Sequence, residues 1–329
     1  MKRTCRLCSG REFTRLLTVE NANFTSRVRR FDIVRCTTCG LAMMDPFPTA
    51  ADVEELYRRD NTFSQPYENP YRRNLLFPIL EPIYRHYGDG RHFIVRNCMR
   101  HAPRHRPVKI LDIGCSTGSL LQGFRDMAKR VDPTGIDIDP MARANAPVHL
   151  RDAIVIGDVL SEPLDGPYDV ITMEMVIEHL LDPVAYIRRC HELLRPGGVL
   201  MLSTPDIDSV PARKQGANWW LVNRPSMPVG HVVWFNRRAM EYTARAYGFR
   251  VARIKNRGNL VPYLPDWLRR TLERLLGFDA ISGRFIRWYP VRILWALIVT
   301  GWLSGFLSKG EYVYAFLVKE SDERQAQAA

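Results

Sequence analysis

The sequence lacks the features that mark exported, membrane-spanning and fibrous proteins. Its first ten residues, MKRTCRLCSG, contain no apolar segment of signal-peptide length, and no apolar run reaches the roughly 20 residues that span a bilayer. No internal repeat or low-complexity tract is present. We therefore expect a globular protein in a reducing cytoplasm, with its seven cysteines outside disulfides and room for about two domains in 329 residues.

Acidic residues are in the minority. The chain has 35 Asp and Glu against 47 Lys and Arg, which gives a formal net charge of +12. The arginines are dispersed towards both ends and do not alternate with aromatic residues in one strip. This balance favours an anionic partner without naming it, and a basic surface that is merely solvated is the alternative.

Four of the seven cysteines form two pairs with C-x-x-C spacing. Two residues between thiols allow both sulfurs to bind one ion, and two such pairs supply four thiolates for a structural zinc site. We therefore predict a zinc-ribbon-like module over residues 1–45. The alternatives are four unrelated buried cysteines, an iron–sulfur site or a redox dithiol. The predicted zinc ligands are Cys5, Cys8, Cys36 and Cys39.

From Val108 onward, short apolar runs alternate with segments of helical periodicity. Ser119–Arg130 and Pro183–Leu194 carry apolar residues at i, i+3 and i+4, and the sequence RPGG at 195–198 ends the second helix. This order predicts a doubly wound α/β sheet, which binds ligands at the carboxyl ends of its strands. The predicted strands are Val108–Ile113, Thr134–Ile138, Ala153–Ile156, Asp169–Thr172 and Val199–Ser203.

The segment KILDIGCSTGSLLQGF, residues 109–124, connects the first predicted strand to the first helix. A dinucleotide site needs G-x-G-x-x-G here, but Ser116 lies between Gly114 and Gly118 where a central glycine is expected. No Walker lysine follows. The turn therefore favours a ligand other than a dinucleotide or a nucleoside triphosphate.

Three acidic residues follow the ends of successive predicted strands. Asp112 would repel a phosphate but suits an ammonium group. Asp137 ends the next strand, where a carboxylate accepts hydrogen bonds from both ribose hydroxyls, and Asp158 ends the third, where it can face an adenine amine. An ammonium, a ribose and an adenine together describe S-adenosylmethionine.

Six segments between Val108 and Lys255 resemble, in order and spacing, the motifs of class I S-adenosylmethionine-dependent methyltransferases: LDIGCSTG, GIDIDP, GDV, YDVITMEMVIEHLLDP, LLRPGGVLMLSTPD and GHVVWFNRRAMEYTARAYGF. The sequence is most similar to the small-molecule group, which includes ubiquinone-biosynthesis O-methyltransferases and bacterial sugar methyltransferases. The resemblance implies a Rossmann-like fold that binds S-adenosylmethionine. Ser116 replaces a family glycine, and a small side chain is expected to be tolerated there. The residues assigned to the cofactor are Asp112, Gly114, Ser116, Gly118, Asp137, Ile138, Asp158, Val159 and Glu174.

Methyl transfer from a sulfonium needs in-line positioning and removal of a proton from the acceptor. The candidate catalytic residues are Glu178, His179 and His231. His179 can instead hold the turn after the fourth strand, His231 can bond to backbone, and Glu178 can orient a histidine. Trp219 and Trp220 can stack on an acceptor or fill the core.

The sequence disfavours methylation of a base amine. Enzymes of that type carry an N/D-P-P-Y tetrad after the fourth strand, where this chain has MEMV at 173–176. A zinc ribbon fused to a methyltransferase also occurs among RNA-modifying enzymes, so nucleic acid stays a second choice of partner.

The C-terminal part predicts a helical hairpin and one more strand. Pro265–Leu276 forms a basic amphipathic pattern, and Ile293–Ser308 contains no charge. We predict an interfacial hairpin on an anionic cytoplasmic membrane, with burial against the sheet or in a dimer as alternatives. Glu311–Lys319 alternates like a final edge strand that returns to the sheet.

These patterns predict four parts: the zinc-ribbon-like module at 1–45, a helical linker or lid at 46–107, the methyltransferase core at 108–255, and the hairpin with its edge strand at 256–329. The expected activity is methyl transfer to an oxygen, or as a second choice a carbon, of a small-molecule, lipid-linked or saccharide acceptor. A zinc-ribbon RNA methyltransferase and a non-catalytic adaptor are the alternatives. The expected location is the cytoplasm, peripheral to the inner face of the membrane; the sequence does not predict an oligomeric state.

Overall fold

The computed structural model describes residues 3–20, 22, 24–25, 28–59, 90–103, 105–128, 130–223, 230–258, 267 and 310–321. The helices in this part of the chain are α1 Ala50–Arg59, α2 Gly90–Cys98, α3 Ser119–Met127, α4 Met141–Asn145, α5 Pro183–Leu193, α6 Val210–Gln215 and α7 Arg237–Ala246, with 3₁₀ turns at Val148–Ala153, Ile177–His179 and Gly216–Asn218. The strands are β1 Phe13–Val19, β2 Phe31–Cys36, β3 Ala42–Asp45, β4 Val108–Ile113, β5 Val131–Asp137, β6 Ile154–Ile156, β7 Tyr168–Glu174, β8 Leu194–Pro205, β9 Val233–Trp234, β10 Phe249–Arg257 and β11 Tyr312–Lys319.

Seven strands form the main sheet, in the order β10-β11-β8-β7-β4-β5-β6. The five strands from β8 to β6 are parallel, and β11 is antiparallel to both of its neighbours. The parallel strands are apolar runs because helices cover both faces of such a sheet. The predicted doubly wound, Rossmann-like α/β fold is confirmed, and each of the five predicted strands overlaps a parallel strand of this sheet.

Local sequence signals set the helix ends close to the cavity described below. The side chain of Asp182 accepts a hydrogen bond from the Ala185 amide at 3.1 Å and caps α5, which begins with Pro183. The helix ends at Leu193, and RPGG follows with Gly197 at φ 76°. The first predicted helix ends three residues early, at Met127, because Ala128 is already extended.

The prediction of a final edge strand is wrong in its position. β11 returns to the sheet as predicted, but it lies between β8 and β10, so β10 forms the edge. Residues 315–318 are all buried, as expected for an interior strand of a sheet that is covered on both faces. The alternating pattern at the start of this segment suggested a strand with one exposed face, whereas its apolar second half belongs to the interior of the sheet.

A second, four-stranded sheet has the order β1-β2-β3-β9 and is antiparallel. We call residues 1–45, which supply its first three strands, the cysteine module. The fourth strand, β9, comes from much later in the chain, between β8 and β10, since Ala42 pairs with Trp234 and Met43 with Val233. Side chains join the same two parts: the Tyr247 hydroxyl donates to the Leu7 carbonyl at 2.5 Å.

The predicted linker or lid is described only in part. α1 is one helix of this range. α2 belongs to the core, because Phe93, Ile94 and Val95 are buried in the same cluster as Phe124 of α3. Residues 60–89 lie outside the described residues.

The predicted hairpin also lies outside the described residues, apart from the exposed Trp267. Among the residues that the structure describes, no helix is both long enough and apolar enough to cross a membrane.

Candidate active site

A cavity of about 600 Å³ opens at the carboxyl ends of β4, β5 and β7. Strands β5 and β6 lie on one side of β4, and β7 and β8 on the other, so the cavity lies where the winding of the sheet reverses. Doubly wound sheets bind ligands at this place. The cavity is lined by Ile113, Gly114, Ser116, Ile136–Met141, Gly157–Val159, Glu174–Val176, His179, Leu180 and Tyr186.

The turn after β4 needs left-handed backbone at two cavity residues. Gly114 has φ 69°, and a Cβ at this position would lie 2.4 Å from Cγ2 of Val176. Ser116 has φ 47°, which costs a non-glycine residue about 1–2 kcal/mol. The same conformation directs the Ser116 amide to Oδ2 of Asp137, at 2.7 Å. Ser116 therefore adopts the backbone conformation that glycine is expected to adopt in the family motif that this segment resembles.

Asp137 lies at the end of β5 beside this turn. Its Oδ1 accepts a hydrogen bond from the Asp139 amide at 2.9 Å, and burial raises the pKa of its carboxyl. Two apolar side chains adjoin it at the cavity and stay open to solvent, Ile138 with 59% exposure and Met141 with 51%. A carboxylate next to exposed apolar surface suits a ligand with a hydroxylated sugar and a flat apolar ring.

Asp158 forms the next part of the wall. Its Oδ1 accepts from the Leu160 amide at 2.9 Å, and its Oδ2 accepts from the hydroxyl of Tyr186 at 2.8 Å. Tyr186 comes from α5 and also lines the cavity. It was not among the predicted site residues, since its position in a helical apolar pattern is equally typical of core.

The structure separates two acids that the sequence assigned to the same ligand. Asp112 is 3% exposed, does not line the cavity, and accepts a hydrogen bond from the Thr172 hydroxyl at 2.6 Å. Burial raises the pKa of its carboxyl to about 8. Glu174, at the end of β7, does line the cavity. Of these two acids, Glu174 is the one on the cavity wall, and the contact of Asp112 with an ammonium group stays a prediction.

Gly118 is the second predicted cofactor residue that does not line the cavity. It precedes α3 with φ 79°, and a Cβ there would lie 3.1 Å from Cδ1 of Leu150. Gly118 therefore allows the tight turn that leads into α3. The other predicted cofactor residues all line the cavity: Gly114, Ser116, Asp137, Ile138, Asp158, Val159 and Glu174.

The three candidate catalytic residues lie together, and we call Glu178, His179 and His231 the histidine cluster. One nitrogen from each ring and one carboxylate oxygen lie within 4.8 Å of one another, and the ring centroids are 4.8 Å apart. His179 lines the cavity, whereas Glu178 is fully buried and His231 is 7% exposed. Burial lowers the pKa of His179 to about 4 and of His231 to about 3, so both rings are neutral near pH 7.

The comparison with known proteins decides the family. A family model described as a methyltransferase domain matches residues 84–254, more than half of the chain. The chain belongs to the methyltransferase domain family.

Individual relatives of this methyltransferase domain match over shorter ranges. The ubiquinone biosynthesis O-methyltransferase of Pseudomonas aeruginosa (strain UCBPP-PA14) is 37% identical over 103 residues, 29% of this chain and 44% of that protein. The protein of the same name from Xanthomonas campestris pv. campestris (strain B100) is 34% identical over 104 residues, 30% of this chain and 43% of that protein. The chain thus spans less than half the length of these relatives. A solved S-adenosylmethionine-dependent methyltransferase from Archaeoglobus fulgidus is similar over 75% of this chain and 100% of that one, with 15% identity and a TM-score of 0.43.

Two adjacent tryptophans of the methyltransferase domain bond to one acid. The indole N–H groups of Trp219 and Trp220 both donate to Oε1 of Glu311, each at 2.8 Å. Trp219 is fully buried, so it fills the core, which was one of its two predicted roles. Trp220 keeps 40% of its surface exposed, but neither ring lines the cavity.

The four cysteines outside the methyltransferase domain converge as predicted. The sulfurs of Cys5 and Cys39 are 3.4 Å apart, as are those of Cys8 and Cys36. The Leu7 amide donates to the Cys5 sulfur at 3.5 Å, and the hydrogen bond with Cys39 is the largest of the causes that lower the pKa of Cys5 to about 5. Four sulfurs at these distances fit a tetrahedral zinc ion.

Proposed function

We propose that the protein is an S-adenosylmethionine-dependent methyltransferase that methylates an oxygen of a small-molecule, lipid-linked or saccharide acceptor. The observation that carries this proposal is the position of Asp137, held by the Ser116 amide beside the exposed side chains of Ile138 and Met141. A carboxylate for a ribose and an apolar rim for an adenine adjoin each other there. Ubiquinone biosynthesis relatives named O-methyltransferases support oxygen as the acceptor atom.

In this proposal, different cavity residues bind different parts of the methyl donor. Asp137 accepts hydrogen bonds from the ribose hydroxyls, since each of its oxygens has a second lone pair beyond the backbone bond that it accepts. Ile138 and Met141 cover the adenine, with Asp158 and Val159 at its polar edge. Glu174 binds the ammonium group. When bound, the donor supplies an activated methyl group on its sulfonium.

The acceptor oxygen lies against the wall formed by His179. Transfer to a hydroxyl requires that its proton be removed, and neutral His179 is the member of the histidine cluster that lines the cavity. The other two members lie behind it and away from solvent. A carbon acceptor is the second choice, because a neutral histidine also suits removal of a proton from an acidic carbon.

We also propose that the cysteine module holds a structural zinc ion, with Cys5, Cys8, Cys36 and Cys39 as its ligands. The converging sulfurs support this site. The boundaries at residues 45, 107 and 255 and the contact of the hairpin with an anionic membrane stay predictions.

Purified protein incubated with methyl-labelled S-adenosylmethionine and a host extract tests the proposed activity. Label is expected in the lipid or glycan fraction and is expected to be absent with the Asp137→Ala variant. Label that ribonuclease removes would replace the proposal with an RNA methyltransferase. Donor binding without any labelled product would favour an adaptor.

A further inference from the structure

Basic side chains lie along one face of β10, the edge strand of the main sheet. In an antiparallel pair of strands, directly opposite residues share a face. Val318, Phe316 and Tyr314 of β11 pack in the same hydrophobic cluster as Phe93, so they mark the face that α2 covers. The residues of β10 opposite these three are all basic: Arg250, Arg253 and Lys255.

α2 adds further positive charge to this face. Arg96 in its last turn and Arg100 just beyond its end are both exposed. Burial and, after it, the charges of Arg100 and Arg96 lower the pKa of Arg253. Burial and then the charges of Arg250 and Arg100 likewise lower the pKa of His101. Charges act on one another mainly within about 10 Å, so these side chains lie close together. We call Arg96, Arg100, Arg250 and Arg253 the basic face.

The basic face has no acidic counterpart in the part of the chain that the structure describes. None of the ion pairs between described residues includes one of its four arginines. The two stretches that supply it, residues 90–111 and 242–265, contain no Asp or Glu. Like charges that are held together repel one another, so the basic face indicates a partner that supplies negative charge.

The guanidinium group of Arg253 is held in a fixed position at the centre of this face. Its Nη1 donates to Oδ1 of the buried Asn97 at 2.9 Å, and its Cζ lies 5.7 Å from the centroid of the Phe93 ring. A group that is already oriented loses less conformational freedom when it binds a phosphate.

Two observations favour a phospholipid surface over nucleic acid as this partner. Single-stranded nucleic acid stacks its bases on aromatic side chains, whereas Phe93, the ring beside Arg253, is only 8% exposed. In addition, residues 258–311 connect β10 to β11, and this connection contains no charged residue from 293 to 308. A long uncharged run in a segment that starts at a basic surface is typical of proteins that bind the interface of an anionic bilayer.

We propose that the basic face docks on the surface of a membrane that contains anionic phospholipids. Its guanidinium groups bind the lipid phosphates, to which arginine donates paired hydrogen bonds.

The direction of β10 indicates how such a membrane lies relative to the cavity. Arg257, the last residue of β10, is opposite Tyr312, and Tyr312 is opposite Pro205 at the carboxyl end of β8. β8 is parallel to β7, so this end of β10 lies at the edge of the sheet where the cavity opens. A docked membrane therefore adjoins that edge. For a lipid-linked acceptor this shortens the path to the cavity, a consequence that rests on the proposed function.

Sedimentation with lipid vesicles tests the docking. The full chain is mixed with vesicles of phosphatidylcholine alone or of phosphatidylcholine and phosphatidylglycerol, and the bound fraction is measured at low and high salt. We expect stronger binding to the anionic vesicles, and salt should weaken it because exposed charges are screened. Arg100→Gln and Arg250→Gln should each weaken this binding about fivefold.

Arg245→Gln is the matched control. Arg245 is exposed on α7, whose buried residues pack with Ile254 in the other hydrophobic cluster, on the opposite face of β10. The control should bind anionic vesicles as the wild type does. Circular dichroism of all three variants checks that they are folded.

Other results overturn the proposal. One is equal binding of the wild type to neutral and anionic vesicles, which requires no variant. Another is wild-type binding by folded Arg100→Gln and Arg250→Gln. A third is preferential binding to an RNA oligonucleotide that both variants lose, which would assign the basic face to nucleic acid. Vesicle binding uses neither methyl donor nor acceptor, so its failure leaves the proposed function unaffected, whereas absent S-adenosylmethionine binding would refute the proposed function alone.

Discussion

The hydroxyl of Thr172 donates a hydrogen bond to Oδ1 of Asp112 at 2.6 Å, between the adjacent strands β7 and β4. This bond engages the carboxyl of Asp112 inside the sheet, and the residue has almost no exposed surface. Glu174, two positions after Thr172, lines the cavity instead. Two acids that look equivalent in the sequence therefore differ in position: one is buried within the sheet and the other lines the cavity.

Replacing Glu174 by Gln should weaken S-adenosylmethionine binding by about tenfold, because a charged hydrogen bond to the ammonium group is lost. Replacing Asp112 by Asn should change the affinity much less, since an amide oxygen can still accept from Thr172. Isothermal titration calorimetry on both variants measures this difference. A larger loss with Asp112→Asn would return the ammonium contact to that residue.

The Asp137→Ala variant should bind S-adenosylmethionine at least about tenfold more weakly, because it removes the acceptor of the ribose hydroxyls and the partner of the Ser116 amide. Asp132→Ala is the matched control, since Asp132 is exposed near the opposite end of the same strand. Titration calorimetry should find wild-type affinity for the control. Equal affinities of all three proteins would refute the ribose assignment.

Asp169 anchors the amino end of the parallel sheet. Burial opposes its charge, but two hydrogen bonds from Arg106, at 2.8 and 2.6 Å, one from the Lys109 amide and one from Arg195 together lower the pKa of its carboxyl. Asp169→Asn should lower the free energy of unfolding at pH 7 by about 3 kcal/mol, near the lower end for buried pairs because both guanidinium groups are partly exposed.

This stabilisation has a defined pH range. A lowered carboxyl pKa contributes fully above the unfolded value of about 3.9, and the contribution disappears as the pH falls through the folded pKa. Urea denaturation of the wild type and of Asp169→Asn between pH 2 and 7 measures this dependence. The difference between their free energies of unfolding should become smaller only below about pH 4. Asp165→Asn, at an exposed partner of Lys109, should follow the wild type throughout.

Substituting Cys5 by Ser should remove one zinc ion per chain and lower the melting temperature, because one of four converging thiolates is lost. Cys190→Ala should keep the full metal content, since burial raises the pKa of that thiol to about 12 and it is not one of the four converging cysteines. Metal analysis by mass spectrometry checks both. Equal zinc content in the two variants would refute the thiolate site.

The sequence predicts the sheet well because buried parallel strands are continuous apolar runs, such as Val108–Ile113, which the structure keeps with the same bounds. It also locates the cavity, since acids at strand ends such as Asp137 and Asp158 necessarily meet at one edge of a parallel sheet. It cannot tell which strand-end acid lines the cavity. That depends on Thr172, a partner 60 positions away from Asp112.

Other features depend on contacts without a local signal. Tyr186 reaches Asp158 from a helix 28 positions later in the chain, and its helical spacing is the same as that of a core residue. β9 has two residues, too few for any periodicity, and it is a strand only because β3 lies beside it. The buried position of β11 likewise depends on where β10 lies, which alternation within one segment cannot indicate.

The pairing of β3 with β9 determines when the N-terminal sheet can form during protein synthesis. Ala42 and Trp234 are nearly two hundred positions apart, so the first three strands leave the ribosome long before the fourth. At about 5–20 residues per second this interval is roughly 10–40 s. Throughout it, β3 presents unpaired backbone groups, which invite pairing with other chains. Early metal uptake by the two cysteine pairs would hold this incomplete sheet together until translation reaches its last strand.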